Sequence, residues 1–305
     1  MRILVVGAGA TGGYFGGRLA QAGRDVTFLV RPARADRLRA EGLQIVSPHG
    51  DVTLTPKLLT AGSIAEKFDA VLLTVKGYSL AAAMDDFAAA VGQQTMILPV
   101  LNGMQHVDIL SERFGRNAVA GCVCKVATTI DERGRIVQLA KMQDLIYGEM
   151  DGTASVRMSR LDEVMQGAGF DARLSHTIEQ EMWDKWIMLA TVGGITCLMR
   201  GNVGDVEVAP GGKAFALRLL DEVVKTVTAL GHAPSPAFVA GMQDTLGRRG
   251  STMNTSMYRD YIAGAPVEAE QILGDLAARA QRVGVDTPLL AASFAALSIY
   301  QARMN

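Results

Sequence analysis

The hexapeptide Gly7-Ala8-Gly9-Ala10-Thr11-Gly12 has the G-x-G-x-x-G spacing that brings a peptide backbone against a pyrophosphate. In that reading Gly7 permits a tight turn, Gly9 lets the pyrophosphate approach the main chain, and Gly12 lets a helix pack closely on the preceding strand. Ala8, Ala10 and Thr11 lend main chain to the same cradle, and the free N–H groups of the helix face the phosphates. A glycine-rich turn that binds nothing is the alternative. It is disfavoured by an aliphatic run at 3–6 on one side and a helical pattern of apolar and small residues at 11–22 on the other. The next strand ends Phe28-Leu29-Val30-Arg31, where an acidic residue would select the ribose hydroxyls of NAD. An arginine instead pairs with a 2′-phosphate, so Arg31 selects NADPH. Arg34 and Arg37 are placed to reinforce that pairing, although each reads better as a solvated helix charge.

A nicotinamide cofactor implies hydride transfer, and four more polar residues, Lys76, Asn102, Lys185 and Glu268, are compatible with that chemistry, although each also has a plainer structural reading. Hydride addition to a ketone builds alkoxide character on oxygen, so a cation or acid within hydrogen-bond reach lowers the barrier, and lysine offers both. Lys185 lies in Trp183-Asp184-Lys185-Trp186 within a helical stretch. On spacing alone it reads better as a surface lysine paired with Glu181 one turn earlier. Lys76 and Asn102 follow the carboxyl ends of expected parallel strands, where open α/β sheets bind ligands. Their plainer readings are a solvated loop residue and an Asn-Gly turn capping the next helix. Glu268 follows Pro266 at a helix start, where a carboxylate also complements the helix dipole.

The elements that must hold these residues are legible as two kinds of texture. Strands are expected at 3–6, 25–30, 43–46, 52–54, 70–75, 96–100 and 118–122, with helical patterns between several of them, which predicts a doubly wound α/β Rossmann sheet. Short β-like pieces at 126–130 and 135–139, around a turn at 131–134, predict an antiparallel edge on that sheet. A helix at 161–167 and a strand at 171–174 follow. Helical stretches at 178–192, 212–230, 235–246, 267–283 and 289–304 then predict an all-α C-terminal domain. The boundary falls near Ser175 and His176, giving an NADP-binding Rossmann domain at 1–175 and a helical substrate and catalytic domain at 176–305.

Composition narrows the partners. With 49% hydrophobic and 20% charged residues the chain can bury two cores, and a net charge of -1 offers no global attraction to nucleic acid or an acidic membrane. Gly7 interrupts the apolar N-terminus before it reaches signal-peptide length, and no uninterrupted apolar run approaches the roughly 18 residues of a membrane span. A soluble, cytoplasmic protein with a small-molecule ligand is expected. Cys122, Cys124 and Cys197 suit a reducing compartment and structural roles; lacking nearby His or Cys partners, they predict no metal site. His106, His176 and His232 have no Ser or Cys partner at triad spacing, which argues against hydrolysis. Met142, Met182, Met188 and Met199 read as core filler.

Several signatures recur in a fixed order: GAGATGG at 7–13, Arg31, Val75-Lys76, Leu101-Asn102-Gly103-Met104, and the stretch from Glu181 to Lys185. Thr255-Ser256-Met257-Tyr258-Arg259-Asp260, Val267-Glu268 and the segment 284–288 complete the series. With them the chain resembles the ketopantoate reductase (2-dehydropantoate 2-reductase) family over nearly its whole length. The resemblance implies an N-terminal NADPH domain, a helical C-terminal domain, an active site in the cleft between them, and reduction of a 2-oxo acid to a 2-hydroxy acid. Lys185 then corresponds to the lysine that protonates the reduced carbonyl oxygen, Glu268 to a glutamate contacting substrate, and Ser256 to a serine near the substrate carboxylate. Asn102 and Lys76 correspond to residues that line the nicotinamide and orient cofactor and substrate.

The implied reaction is conversion of ketopantoate to pantoate in pantothenate biosynthesis. Leu189 and Gly193, however, stand where the family carries asparagines four and eight residues after the lysine. Their loss predicts an apolar, roomier wall that suits another or bulkier 2-oxo acid. Outside the enzymes, the alternative is a protein that senses NADP(H) without turnover; Lys185 together with Glu268 argues against it, since a sensor needs neither an acid nor a substrate clamp. A helical half of this size also suits a homodimer.

Overall fold

The computed structural model of the chain describes residues 1–304. Its strands are β1 (Arg2–Val6), β2 (Asp25–Leu29), β3 (Leu43–Val46), β4 (Val52–Leu54), β5 (Lys57–Leu59), β6 (Ala70–Leu73), β7 (Met96–Pro99), β8 (Ala120–Ile130), β9 (Ile136–Glu149) and β10 (Asp171–Leu174). Helices α1 (Ala10–Gln21), α2 (Pro32–Glu41), α3 (Leu80–Phe87), α4 (Gln105–Phe114) and α5 (Val156–Met165) are interspersed with them. By internal contacts the chain divides into a first unit, Met1–Leu101 with His106–Glu179, and a second, Asn102–Gln105 with Gln180–Asn305.

In the first unit, a parallel sheet has the order β5-β2-β1-β6-β7. Its strands alternate faces, as a period of two requires. Leu4, Val6, Val71, Leu73 and Ile97 join Leu80 and Phe87 of α3 and Leu110 of α4 in one core. Ile3, Val5, Phe28, Leu72 and Leu98 join Tyr14, Phe15 and Leu19 of α1 in the other. Helices on both faces of a parallel sheet make this the doubly wound fold expected.

The sequence reading erred on the rest of the β structure. β3, β4, β8, β9 and β10 form a second five-stranded sheet, in which β9 pairs antiparallel with β8 and parallel with β10 and β3. The hairpin at 131–134 exists, closed by Gly134 N–H to the Asp131 carbonyl at 2.8 Å, but it belongs to this sheet and not to an edge of the first. The reason lies in α1, which fills the space between the sheets. A Cβ at Gly16 would sit 2.6 Å from Phe28 of the first sheet, one at Gly17 2.7 Å from Ile45 of the second, and one at Gly13 would overlap Ile136 of the second. Glycine on two flanks of one helix lets sheet backbone approach from both sides.

The second unit is helical: α6 (Ile178–Met199), which begins in the first unit, α7 (Val203–Val208), α8 (Gly212–Ala229), α9 (Pro236–Leu246), α10 (Ser256–Ile262), α11 (Asp275–Arg282) and α12 (Pro288–Ala302). Short α7 and α10 were not foreseen. The Thr255 hydroxyl caps α10 by accepting from Tyr258 N–H at 3.2 Å, and buried Glu222 caps α12 by accepting from Leu289 and Leu290 N–H at 3.1 and 2.9 Å. The single helix expected over 267–283 is broken in register by a five-residue π-turn, Glu270–Gly274, ahead of α11. No described helix is long and apolar enough to cross a membrane.

Candidate functional site

The glycine-rich turn has the geometry of an anion cradle. β1 ends at Val6; Gly7 turns with φ +96 and donates its N–H to the Leu29 carbonyl at 2.9 Å, tying the turn to the end of β2. The Thr74 hydroxyl lies 2.8 and 2.9 Å from the Val6 and Gly7 carbonyl oxygens. A Cβ at Gly12 would overlap both that hydroxyl and the Gly7 oxygen, so only glycine lets α1 start this close to β1 and β6. At Gly9, by contrast, a Cβ would meet nothing within 4 Å. The first intrahelical bond runs from Gly13 N–H to the Gly9 carbonyl at 2.8 Å, which leaves the N–H groups of Ala10, Thr11 and Gly12 for a ligand. Open space over Gly9, in front of these donors and the positive end of α1, fits a dinucleotide pyrophosphate.

Arg31 follows β2, exposed, as the N-cap residue of α2 with Pro32 behind it. The expectation for Arg34 needs correcting. It is half-buried, and its Nε and Nη1 donate to the carbonyls of Ala8 and Gly134 at 3.3 and 3.2 Å, bracketing the glycine turn to the hairpin tip. Burial first, and then the Arg37 cation, pull its pKa down. Arg37 pairs with Glu41 at 3.0 Å on the surface, and a side chain at Gly134 would overlap its guanidinium. Three arginines therefore gather at the end of β2. Lys76, half-buried, opens a short 3-10 turn after β6, where its carbonyl accepts from Ser79 N–H at 2.8 Å.

In the second unit the expected residues converge on α6. Asn102 donates from Nδ2 to Oε2 of Glu268 at 3.3 Å, and Glu268 is buried. Gly103 turns with φ +80 so close to the Gln271 carbonyl that a Cβ would overlap it. Lys185 is half-buried on α6; the next residue, Trp186, donates its indole N–H to the Ile272 carbonyl at 2.9 Å. Segment 102–105, α6 and the π-turn thus meet at one point. The neighbouring Asp184 accepts from Gln180 Nε2 at 2.9 Å, and burial raises its carboxyl pKa against that bond.

Ser256 begins α10, half-buried. Its neighbours Thr255 and Met257 pack on Gly193, which lies on the Lys185 face of α6 about 12 Å further along at ~1.5 Å per residue. A Cβ at Gly193 would lie 2.7 Å from Met257 Cε. The wall expected to be roomier is therefore apolar but filled, because Met257 takes the space a side chain at 193 would use. Sequence reasoning missed the packing role of Met257 and the π-turn with its Trp186 anchor.

A carboxylate fixed by an amide, beside a helix carrying an ammonium group, can orient a polar carbonyl substrate and give it a proton. Comparison with known proteins agrees in scale. The family model described as "Ketopantoate reductase PanE/ApbA" matches residues 3–152, and its C-terminal counterpart matches residues 177–301. An uncharacterized oxidoreductase, YkpB, of Bacillus subtilis is 33% identical over 302 residues, covering 99% of each chain. The crystal structure of 2-dehydropantoate 2-reductase from Geobacter metallireducens superposes with a TM-score of 0.88 at 25% identity, covering 98% of this chain and 99% of that one. D-mandelate dehydrogenase, solved with NADH and anilino(oxo)acetate, shares the fold with a TM-score of 0.88 at 19% identity and full coverage of both chains.

Proposed function

We propose that this chain, which belongs to the ketopantoate reductase PanE/ApbA family, reduces a 2-oxo acid to the 2-hydroxy acid with NADPH. Members of this family of oxidoreductases use a nicotinamide cofactor on 2-oxo acids, and some are dimers. The reading is carried by the contact of Asn102 with buried Glu268 beside the helix that bears Lys185.

When bound, reduced nicotinamide supplies a hydride to the carbonyl carbon. Lys185 holds the carbonyl oxygen by hydrogen bond and gives it the proton as alkoxide character grows. Glu268 fixes the substrate and Ser256 its carboxylate, while Asn102 and Lys76 orient the nicotinamide against it. Arg31, exposed and at the end of β2, pairs with the 2′-phosphate, in a neighbourhood that Arg34 and Arg37 make more positive. Ketopantoate is the first substrate to try. A second reading, another 2-oxo acid with an apolar side chain, is favoured by Leu189 and by Met257 sealing the space at Gly193.

The test follows NADPH absorbance with ketopantoate and a panel of aliphatic and aromatic 2-oxo acids, in the wild type and in Lys185→Ala. The variant is expected to lose about a hundredfold or more in kcat, the scale of a general acid. Full activity in the variant would strip Lys185 of its role, and a wild type inert toward the whole panel would leave the sensor reading.

A further inference from the structure

We infer that Trp186 is a positioning residue for this reaction: its indole N–H, donated to the π-turn, holds the Lys185 helix in register with Glu268 and Asn102. The inference rests on the roles proposed above for those three residues. It starts from an oddity of the backbone. Between Glu268 and α11 the hydrogen-bond ladder widens, Asp275 N–H reaching back to the Glu270 carbonyl, five residues away. Such single-turn insertions are rare and concentrate at functional sites. This one carries none of the side chains assigned to chemistry, so its use must lie in the main chain it presents.

Two of its carbonyls do the presenting. The Gln271 oxygen abuts Gly103, whose left-handed turn sets Asn102 against Glu268. The Ile272 oxygen accepts the indole N–H of Trp186, which is 1% exposed, at 2.9 Å. The Gly103 Cβ position lies only 3.8 Å from the same indole nitrogen, so one side chain stands at the junction of all three segments. Arg279, a turn beyond the π-turn, lies over the Trp186 and Trp183 rings at 5.6 and 6.0 Å while pairing with buried Asp275 at 2.9 Å. Because Lys185 and Trp186 are consecutive on a rigid helix, any rotation that frees the indole also swings the lysine.

Trp183 supplies an internal comparison. It lies 5.2 Å from Trp186 and stacks on His232 at 4.3 Å, equally buried, yet its indole nitrogen has no hydrogen-bond partner. It shares the Arg279 contact and ring packing with Trp186, whereas only Trp186 adds a directional anchor.

The experiment measures steady-state kinetics of the full-length enzyme with the best substrate of the panel, after circular dichroism and melting confirm folding. The variants are Trp183→Phe, Trp186→Phe and Trp186→benzothienylalanine, the last keeping ring area while replacing N–H by sulfur, so that folding is preserved. Misplacement by about 1 Å can cost ~100-fold in rate, so both Trp186 variants are expected to lose about 10- to 100-fold in kcat with KM for NADPH within about twofold of wild type. Trp183→Phe should stay within about twofold in kcat, since it removes no hydrogen bond. If the benzothienylalanine variant turns over like wild type, or Trp183→Phe falls as far as Trp186→Phe, the anchor is not what positions the lysine. Those outcomes overturn this inference and leave the reductase standing; a wild type without turnover on any 2-oxo acid overturns both.

Discussion

The second and third glycines of the dinucleotide turn, Gly9 and Gly12, should fail in opposite ways when replaced by alanine. At Gly12 the new methyl group would overlap Thr74 Oγ1 and the Gly7 oxygen, and would sit 2.9 Å from Thr74 Cβ. α1 cannot retreat, because its opposite flank is already pressed on Ile136, Ile45 and Leu43. Overpacking of this kind costs about 1–3 kcal/mol. Displacing the Thr74 hydroxyl from the Val6 and Gly7 carbonyls adds about 1–2 kcal/mol. The sum, about 2–5 kcal/mol, corresponds to a fall in melting temperature of roughly 5–15 °C for a unit of this size. At Gly9 the backbone already has φ -81 and the methyl meets nothing, so Gly9→Ala should leave the ligand-free melting temperature within about 3 °C, the small residue being the poorer N-cap. It should nevertheless weaken NADPH binding by about tenfold or more, since its methyl stands where the pyrophosphate approaches. Differential scanning calorimetry without ligand, paired with fluorescence titration of NADPH, separates the two. A Gly12→Ala protein melting like wild type would refute the packing argument, and a Gly9→Ala protein binding NADPH normally would move the cofactor off this turn.

Other perturbations test other parts of the structure. Arg31→Glu should raise KM for NADPH by about tenfold or more, through loss of a charge-assisted pair and gain of repulsion, with a smaller effect on NADH; initial rates with both cofactors decide it. Gly103→Ala combines a left-handed backbone with overlap on the Gln271 carbonyl, and should destabilise the second unit by about 2–4 kcal/mol in urea titrations. Glu149 presents a pH test. Burial works to raise its pKa, but bonds from Arg157 and Ser155 outweigh that and hold it below the ordinary 4.5. A depressed carboxylate stabilises the fold above its unfolded value and loses that contribution as pH falls through the folded one. Arg157→Ala should therefore cost about 1–3 kcal/mol at pH 7 and progressively less below pH 4.5, as read from chemical melts across that range.

How much could be read in advance follows from how local each signal is. The β1-α1-β2 opening, with Arg31 directly after its second strand, was legible because strand, turn and helix start are written in consecutive residues. Strands 43–46 and 52–54 were placed to the residue, yet assigned to the wrong sheet: β3 pairs through Ile45 with Ile136, and nothing near Ile45 names that partner. Arg34 looked like a solvated helix charge for the same reason, its carbonyl partners being 26 and 100 residues away. The π-turn differs from an α-helix by one residue, less than hydrophobic periodicity resolves. Lys185, Ser256 and Glu268 acquired roles only through family resemblance, since their spacing suits surface and capping positions equally well. Asn102 meets Glu268 across 166 residues of chain, a contact no local pattern encodes.

The burial of α1 on two sides bears on how this protein can be cut and recombined. A fragment ending before Ala120 would retain the whole glycine turn and the parallel sheet, but one flank of the helix that supports the turn would face water, stripped of Ile136 and its neighbours. A piece that keeps α1 covered on both sides runs through β8 and β9 and on to Phe170, whose ring meets Phe15 of α1 edge-on at 5.0 Å. Chimeras that exchange coenzyme preference between relatives should therefore carry β8 through β10 along with the motif, even though those strands contribute no residue of the hexapeptide.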